Sequence, residues 1–371
     1  MDHYPLCRKQ ECRLCQKRHL LSRSLPFCPD CLRTRWSEIE DQALGIHRRS
    51  RVPFGLPERP PREGDVECPF CVNRCRIPEG GRGYCGAKMV KGGRLVHLFG
   101  HDRGLLSYYY DPLPTNCVAA FACAGCTGSG FPMYAKGPTG ERGFHNLAVF
   151  FRSCTLNCLY CQNYTFKELI RPGYTTPEEL AALADETTTC ICFFGGDPAS
   201  QMTFSMKAAH RALERRKGEL LRICWETNGT ENPKVLRKAG EVALESGGTI
   251  KIDVKAWSRG IHLALTGSPN DWIRENLKTL SELAKKRPNP PLLVVSTLLV
   301  PGYVDEEEVR GIAGFLASLD PMIPYSLLAF HPTFLMGDLP PTSRSHASAC
   351  VAAAEAAGLK GIHIGNAHLL W

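Results

Sequence analysis

From residue 146 onward the chain alternates short apolar runs with helix-like stretches, and this alternation restricts the fold more than any other feature. Leu147–Phe151 reads as a buried strand, and so do Cys190–Phe194, Leu220–Trp225, Thr249–Val254, Leu292–Val300 and Tyr325–Phe330. Most of these runs are continuously apolar, as expected of strands covered on both faces. Between them, Thr176-Pro177 opens a helix with a capping residue and a proline at its first position. Asp305-Glu306-Glu307-Glu308 opens another with acidic residues in its first turn. Strands alternating with helices predict a parallel sheet with the helices outside it. Six such units suit an α/β fold, a partial (β/α)6 TIM-like barrel whose chemistry sits at the C-terminal ends of the strands. A doubly wound open sheet is the alternative.

Ahead of this region the cysteines decide the argument. The chain has 371 residues and 19 cysteines, an odd number that cannot pair off completely as disulfides. Disulfide scaffolds are short and enter through a signal peptide, whereas Met1-Asp2-His3-Tyr4-Pro5 lacks a basic segment followed by an apolar one. No apolar run approaches the roughly 18 residues that span a bilayer. The expectation is a cytoplasmic protein without a membrane span, its thiols held as metal ligands in a reducing compartment. A net charge of +8 is mildly basic; it suits an acidic partner or plain solvated surface and does not by itself argue for nucleic acid.

The thiols fall into groups. Cys12-Arg-Leu-Cys15 and Cys28-Pro-Asp-Cys31 are two C-x2-C knuckles that present four sulfurs to a tetrahedral metal, with zinc favoured over a rubredoxin-like iron. Cys7 is left over. Cys68, Cys71, Cys75 and Cys85 form a second four-ligand set, for which spacing does not choose between zinc and an auxiliary iron–sulfur cluster. Cys117, Cys123 and Cys126 lie in a glycine-rich loop. They suit a further cluster with an open iron, a cluster that borrows a ligand such as Cys7 or a histidine, or a set that includes a radical-transfer cysteine. Gly128-Ser-Gly130 and Gly137-Pro-Thr-Gly140 suggest that this loop is mobile and covers the barrel mouth. Cys190, Cys192, Cys224 and Cys350 read as packing, because cysteine on an apolar strand or helix behaves as a small hydrophobe. His97, His101 and His145 are scattered and read as surface or core.

Cys154-Thr-Leu-Asn-Cys158-Leu-Tyr-Cys161 follows directly on the first strand with the spacing CxxxCxxC. Three thiolates in eight residues can wrap one face of a cubane cluster and leave its fourth iron open to a small molecule's amine and carboxylate. Zinc sites want four ligands, and the ferredoxin run is C-x2-C-x2-C, so neither fits.

This motif resembles the signature of the radical S-adenosylmethionine (radical SAM) enzymes. Gly195-Gly196-Asp197-Pro198 resembles the family's GGE motif, with Asp in place of Glu, and the resemblance places the SAM amino group against that backbone. Glu226-Thr-Asn228-Gly229 and Asp253-Val-Lys255 resemble segments of glycyl-radical activating enzymes, as do Leu299–Tyr303 and Phe330-His331-Pro332. The likeness runs in order over about residues 145–335, and is nearest to the pyruvate formate-lyase activating enzyme and its relatives. It implies a 4Fe–4S cluster on Cys154, Cys158 and Cys161, SAM as cofactor, and an oxidoreductase of activating-enzyme type working anaerobically. It places Tyr160 at adenine, and Glu226, Asn228, Asp253 and Lys255 at ribose and carboxylate; His331 falls near the adenine pocket. Residues 65–100 look like the N-terminal cysteine module of AmmeMemoRadiSam-system radical SAM proteins.

The resulting domain expectation is a zinc-ribbon-like module at 1–50, a proline-rich linker at 51–64 and a cysteine-rich auxiliary module and loop at 65–145. A radical SAM barrel at 146–335 and a C-terminal helix and strand at 336–371 follow. The partners implied are a low-potential flavodoxin or ferredoxin and a glycyl-radical or other protein substrate. The rivals are radical modification of a peptide, lipid or metabolite with auxiliary clusters, and a non-enzymatic metal-dependent scaffold or electron carrier.

Overall fold

The computed structural model describes residues 9–100, 102–115, 117–169 and 174–371; Cys7 and His101 lie outside them. Its main sheet has nine strands. Gly104–Pro112 (β1) runs antiparallel to His145–Phe151 (β2), and Tyr174–Thr175 (β3) pairs on the far side of β1. Thr188–Phe194 (β4), Arg222–Thr227 (β5), Ile250–Asp253 (β6), Leu293–Leu299 (β7), Tyr325–Ala329 (β8) and Ile362–Gly365 (β9) continue from β2, all parallel to it.

The order β9-β8-β7-β6-β5-β4-β2-β1-β3 never reverses within the parallel part. A doubly wound sheet must reverse its order at a switch point. The consecutive order is instead the winding of a partial barrel, and β9 adds a seventh parallel strand from the C-terminal segment to the six expected. The expected helix starts form as written. Thr176 and Glu179 make a reciprocal capping box, and Asp305 accepts from the Glu308 amide.

The two faces of the sheet differ because side chains alternate along a strand. Ile223 and Trp225, Ile250 and Ile252, and Ile191 and Phe193 face the helices and are fully buried in the main core. The opposite, lumen face carries Cys190 and Cys192, Cys224 and Glu226, and Lys251 and Asp253.

The segment 113–142 occupies this lumen, and it is not a cover over the mouth. Glu141 pairs with Arg222 at the start of β5, and Ser129 bonds Asn289 just before β7. Phe121 stacks on His363 of β9 with ring centroids 4.4 Å apart. The segment therefore closes the N-terminal ends of the strands, opposite the end where the motifs gather; it is called the plug below.

The two cysteine modules pack behind the sheet's C-terminal end. The first contains Pro29–Thr34 (α1) and Trp36–Arg51 (α2). Its Arg33 reaches Asp305 and Glu308, and the Ser22 amide donates to the Tyr303 hydroxyl at 2.9 Å. The second bonds straight onto the segment after β5, Val72 N to Thr230 O at 2.9 Å and Asn232 N to Phe70 O at 3.0 Å. The proline-rich stretch between them is tied down: Arg51 donates to Pro57 O at 2.6 Å and lies 3.6 Å over the Tyr84 ring. Among the described residues no helix is long and apolar enough to cross a membrane.

Candidate active site at the C-terminal ends of the strands

The chain leaves β2 through Ser153, whose φ of 92° turns it into the three-cysteine loop. That loop is strung between neighbours on every side. Asn157 and Leu159 donate their amides to Thr266 O and Leu265 O at 2.8 and 3.0 Å, and Asn73 Nδ2 reaches Thr155 O at 2.7 Å. Cys154 Sγ accepts from the Leu156 amide at 3.3 Å and from Asn228 Nδ2 at 3.7 Å. Such N–H···S bonds stabilise a metal-bound thiolate.

The three thiols line a cavity of about 270 Å³ together with Tyr160, Gly195, Gly196, Asp197, Glu226, Asn228, Asp253 and Lys255. Gly196 explains the glycine pair: its φ is 37°, and a Cβ there would come within 2.4 Å of Ser153 O and 2.5 Å of Phe151 O. Only a residue without a side chain lets the two loops approach so closely. Tyr160 is buried, edge-on to Phe330 at 6.4 Å.

Asp197 turns inward. It accepts from the amides of Asn228 and Ala199 at 2.7 and 2.8 Å and from Thr227 Oγ1, so its carboxylate ties the end of β4 to the end of β5. Burial pushes Asp197 up to about 6, and burial with Asp197 beside it pushes Glu231 up to about 8. His331 does not join the site. It is exposed, because Phe330 fills the inward position against Tyr160 and the next residue along points away.

Three contributors were not legible in the sequence. Lys251 Nζ bridges Glu226 at 3.0 Å and Asp253 at 2.9 Å, and Lys255 holds the other Asp253 oxygen at 3.1 Å. Burial opposes ionisation of Asp253, but the two lysines outweigh it and hold the carboxylate well below its usual range. The alternation in Ile250-Lys-Ile-Asp253 is the signal that puts Lys251 on the lumen face. Lys167 is fully buried, with no hydrogen-bond partner on Nζ and the Phe334 ring 4.4 Å away. Burial brings it down to about 8, against the pull of neighbouring Cys161 and Cys158. A buried, unpartnered ammonium beside three thiols fits an anionic group held on those thiols. Asn366, in a left-handed conformation after β9, also lines the cavity.

The first module braces the cysteine loop through His47. Its Nδ1 lies 3.0 Å from Asn157 O and 3.2 Å from Asn157 Nδ2, and its Nε2 lies 2.8 Å from Ala264 O. Burial lowers His47 to about 4. The unfolded histidine titrates near 6.5, so as pH falls the unfolded chain gains this proton first and stability drops from about 6.5 to about 4. His47→Leu is expected to cost about 2 kcal/mol near pH 7.5 and less near pH 5, measured by chemical denaturation. Equal losses at the two pH values would refute a neutral, buried imidazole.

The thiol sets differ in spacing. Cys12, Cys15, Cys28 and Cys31 have all four sulfurs within 4.8 Å, with Cys12–Cys31 at 3.8 Å and Cys15–Cys28 at 3.7 Å. Burial opposes a thiolate at Cys12, but the backbone amides of Cys15, Cys28 and Leu14 outweigh it and lower the thiol to about 7. Among the described residues no other three metal-binding groups gather so closely, and that includes Cys68, Cys71, Cys75 and Cys85.

Residues 148–316 match the family model of the radical SAM superfamily, a likeness that implies a 4Fe–4S cluster and SAM. The pyruvate formate-lyase-activating enzyme of Staphylococcus aureus is 26% identical over 194 residues, 49% of this chain and 73% of that protein. Among solved structures, a domain of pyruvate-formate lyase-activating enzyme from Bacteroides vulgatus is 20% identical. It covers 47% of this chain and 98% of that one, with a TM-score of 0.37. Streptococcus suis SuiB bound to S-adenosylmethionine is 14% identical over 58% of this chain and 49% of its own, with a TM-score of 0.43.

Proposed function

We propose that this chain cleaves SAM reductively and uses the product radical to take a hydrogen atom from a glycine of a partner protein. The observation that carries the reading is the convergence of Cys154, Cys158 and Cys161 on one cavity with the Gly195-Gly196 turn, Asn228, Asp253 and Lys255. When bound, a reduced 4Fe–4S cluster gives one electron to SAM, which splits into methionine and a 5′-deoxyadenosyl radical that abstracts hydrogen. Cys154, Cys158 and Cys161 would hold the cluster, and the cavity they line would take SAM by its amine and carboxylate. Gly195 and Gly196 present backbone to that amine, and Lys255 supplies positive charge for the carboxylate. Glu226 and Asp253, locked by Lys251, face the ribose, and Tyr160 packs against adenine. Lys167 balances the charge on the thiols.

The cysteine modules support the site. The first-module sulfur separations match the about 3.8 Å edge of a tetrahedron with zinc–sulfur bonds of about 2.3 Å, which supports structural zinc. The wider second set supports an auxiliary iron–sulfur cluster, whose thiolates sit on different irons. Its direct bonds to the segment after β5 favour a second reading, a peptide, lipid or metabolite substrate served by that cluster. A cytoplasmic setting and a small acidic flavodoxin or ferredoxin donor follow from the low-potential electron and the +8 charge.

The test is anaerobic. Reconstituted wild type with dithionite and SAM should release 5′-deoxyadenosine and methionine; no release from the fully loaded protein defeats the central reading. With a glycyl-radical enzyme deuterated at glycine, label in 5′-deoxyadenosine and a glycyl signal by electron paramagnetic resonance are expected. SAM cleavage without either would leave the second reading standing.

A further inference from the structure

We infer that the lumen, between the plug and two strands, is a further iron–sulfur site that includes thiols on apolar strands. Five thiols line one cavity there: Cys117 and Cys123 from the plug, Cys190 and Cys192 from β4, and Cys224 from β5. Residues two apart on a strand share a face, so Cys190 and Cys192 both point inward, and Cys192 is level with Cys224 across the parallel pair. The plug meets them from the other side.

Strand-lined interiors are ordinarily filled by branched Val, Ile and Leu, packed without gaps. Here the smaller thiols leave a cavity of about 40 Å³. A single water occupies about 10–15 Å³, so the space suits a group of several atoms.

The lining selects which group. Thiolates are soft donors that choose zinc, Cu(I) or iron–sulfur clusters. A single tetrahedral ion needs its sulfurs about 3.8 Å apart. No three of the lumen sulfurs gather within 4.8 Å, whereas Cys12, Cys15, Cys28 and Cys31 do. Spread sulfurs are what a cluster requires, since each binds a different iron. Backbone donors are already in place, Ala119 N to Cys117 Sγ at 3.3 Å and Thr249 N to Cys224 Sγ at 3.4 Å. Hydrogen bonds of this kind to cluster sulfurs are among the means by which a protein sets a cluster's potential. Lys251 lines the cavity already paired with Glu226 and Asp253, and Arg222 at the start of β5 is paired with Glu141.

Glu226 and Lys251 line both this cavity and the one above, and Cys117 Sγ donates to Glu226 Oε1 at 2.7 Å. The further site therefore abuts the first. It does not rest on SAM cleavage, because iron in the lumen is measured whether or not SAM is consumed.

Iron, acid-labile sulfide and zinc are to be counted in the anaerobically reconstituted full chain. The samples are wild type, Cys192→Ser/Cys224→Ser, and Cys350→Ala as a buried thiol outside the lumen. The double variant is expected to lose about two to four irons with matching sulfide per chain, and the control none. Unchanged iron and sulfide in a double variant folded by circular dichroism overturns the inference, as does zinc in place of iron. Should the double variant not fold, iron-edge anomalous scattering from crystals of reconstituted wild type decides. A peak between Cys190 and Cys224 supports the site, and a lumen without iron overturns it.

Discussion

A Cys158→Ala chain, reconstituted anaerobically and given SAM and dithionite, is expected to release no 5′-deoxyadenosine above a protein-free control. The reason is the count of donors. Among the described residues the cavity offers Cys154, Cys158 and Cys161 and no fourth thiol, so a lost ligand has no substitute of the same softness. Cys158 is also where the local charge is arranged for a bound anion. Burial pushes its thiol up to about 12, and Lys255 and Lys167 are the cations that oppose this. Alanine removes one sulfur from a half-buried loop position and leaves the Asn157 and Leu159 amide bonds in place, so the stability cost should stay near about 1 kcal/mol. Activity and stability thus separate. A folded variant that still cleaves SAM would show that this loop does not hold the cluster.

The parts of this site that could be read from sequence are those whose partners are close along the chain. CxxxCxxC, the glycine pair and the D-x-K segment each lie within a few residues, at the end of a recognisable strand. What the inferred lumen site would add depends on register between strands. Cys192 and Cys224 are 32 positions apart and meet only because β4 and β5 pair in one particular alignment. Read singly, each is an apolar-strand cysteine and looks like packing. Lys251 escaped for a related reason: its neighbours suggest a core strand, and only the lumen on the other face makes a lysine tenable. His331 failed in the opposite sense, since its motif was local but the backbone turns at Phe330, where Thr342 Oγ1 takes the amide at 2.8 Å.

The plug shows the same limit in its energetics. Its glycines suggested a loop free to move over the mouth, and nothing nearby in the sequence contradicts that. The contradiction comes from Glu141 and Arg222, 81 residues apart, with side chains 0% and 2% exposed. Two parallel N–H···O bonds of 2.7 Å join them, and Glu141 also accepts from Thr189 Oγ1 at 2.6 Å and the Lys136 amide at 2.9 Å. A buried pair so fully satisfied fixes position more than it adds net stability.

Glu141→Ala is accordingly expected to destabilise the chain by about 3–5 kcal/mol, because it strands a guanidinium that water cannot reach. The measurement is chemical denaturation, with limited proteolysis of 113–142 as the local readout. Cleavage there should rise well before the sheet unfolds, since the plug loses its anchor while β4 and β5 keep their ladder. Glu141→Leu combined with Arg222→Met should recover most of the loss, because replacing both charges removes the uncompensated one. A single variant within about 1 kcal/mol of wild type would mean that Arg222 finds another anion or reaches solvent. In that case the plug would be the mobile loop its glycines suggest, and the close approach of Cys123 to Cys190 and Cys224 would no longer be fixed by the fold.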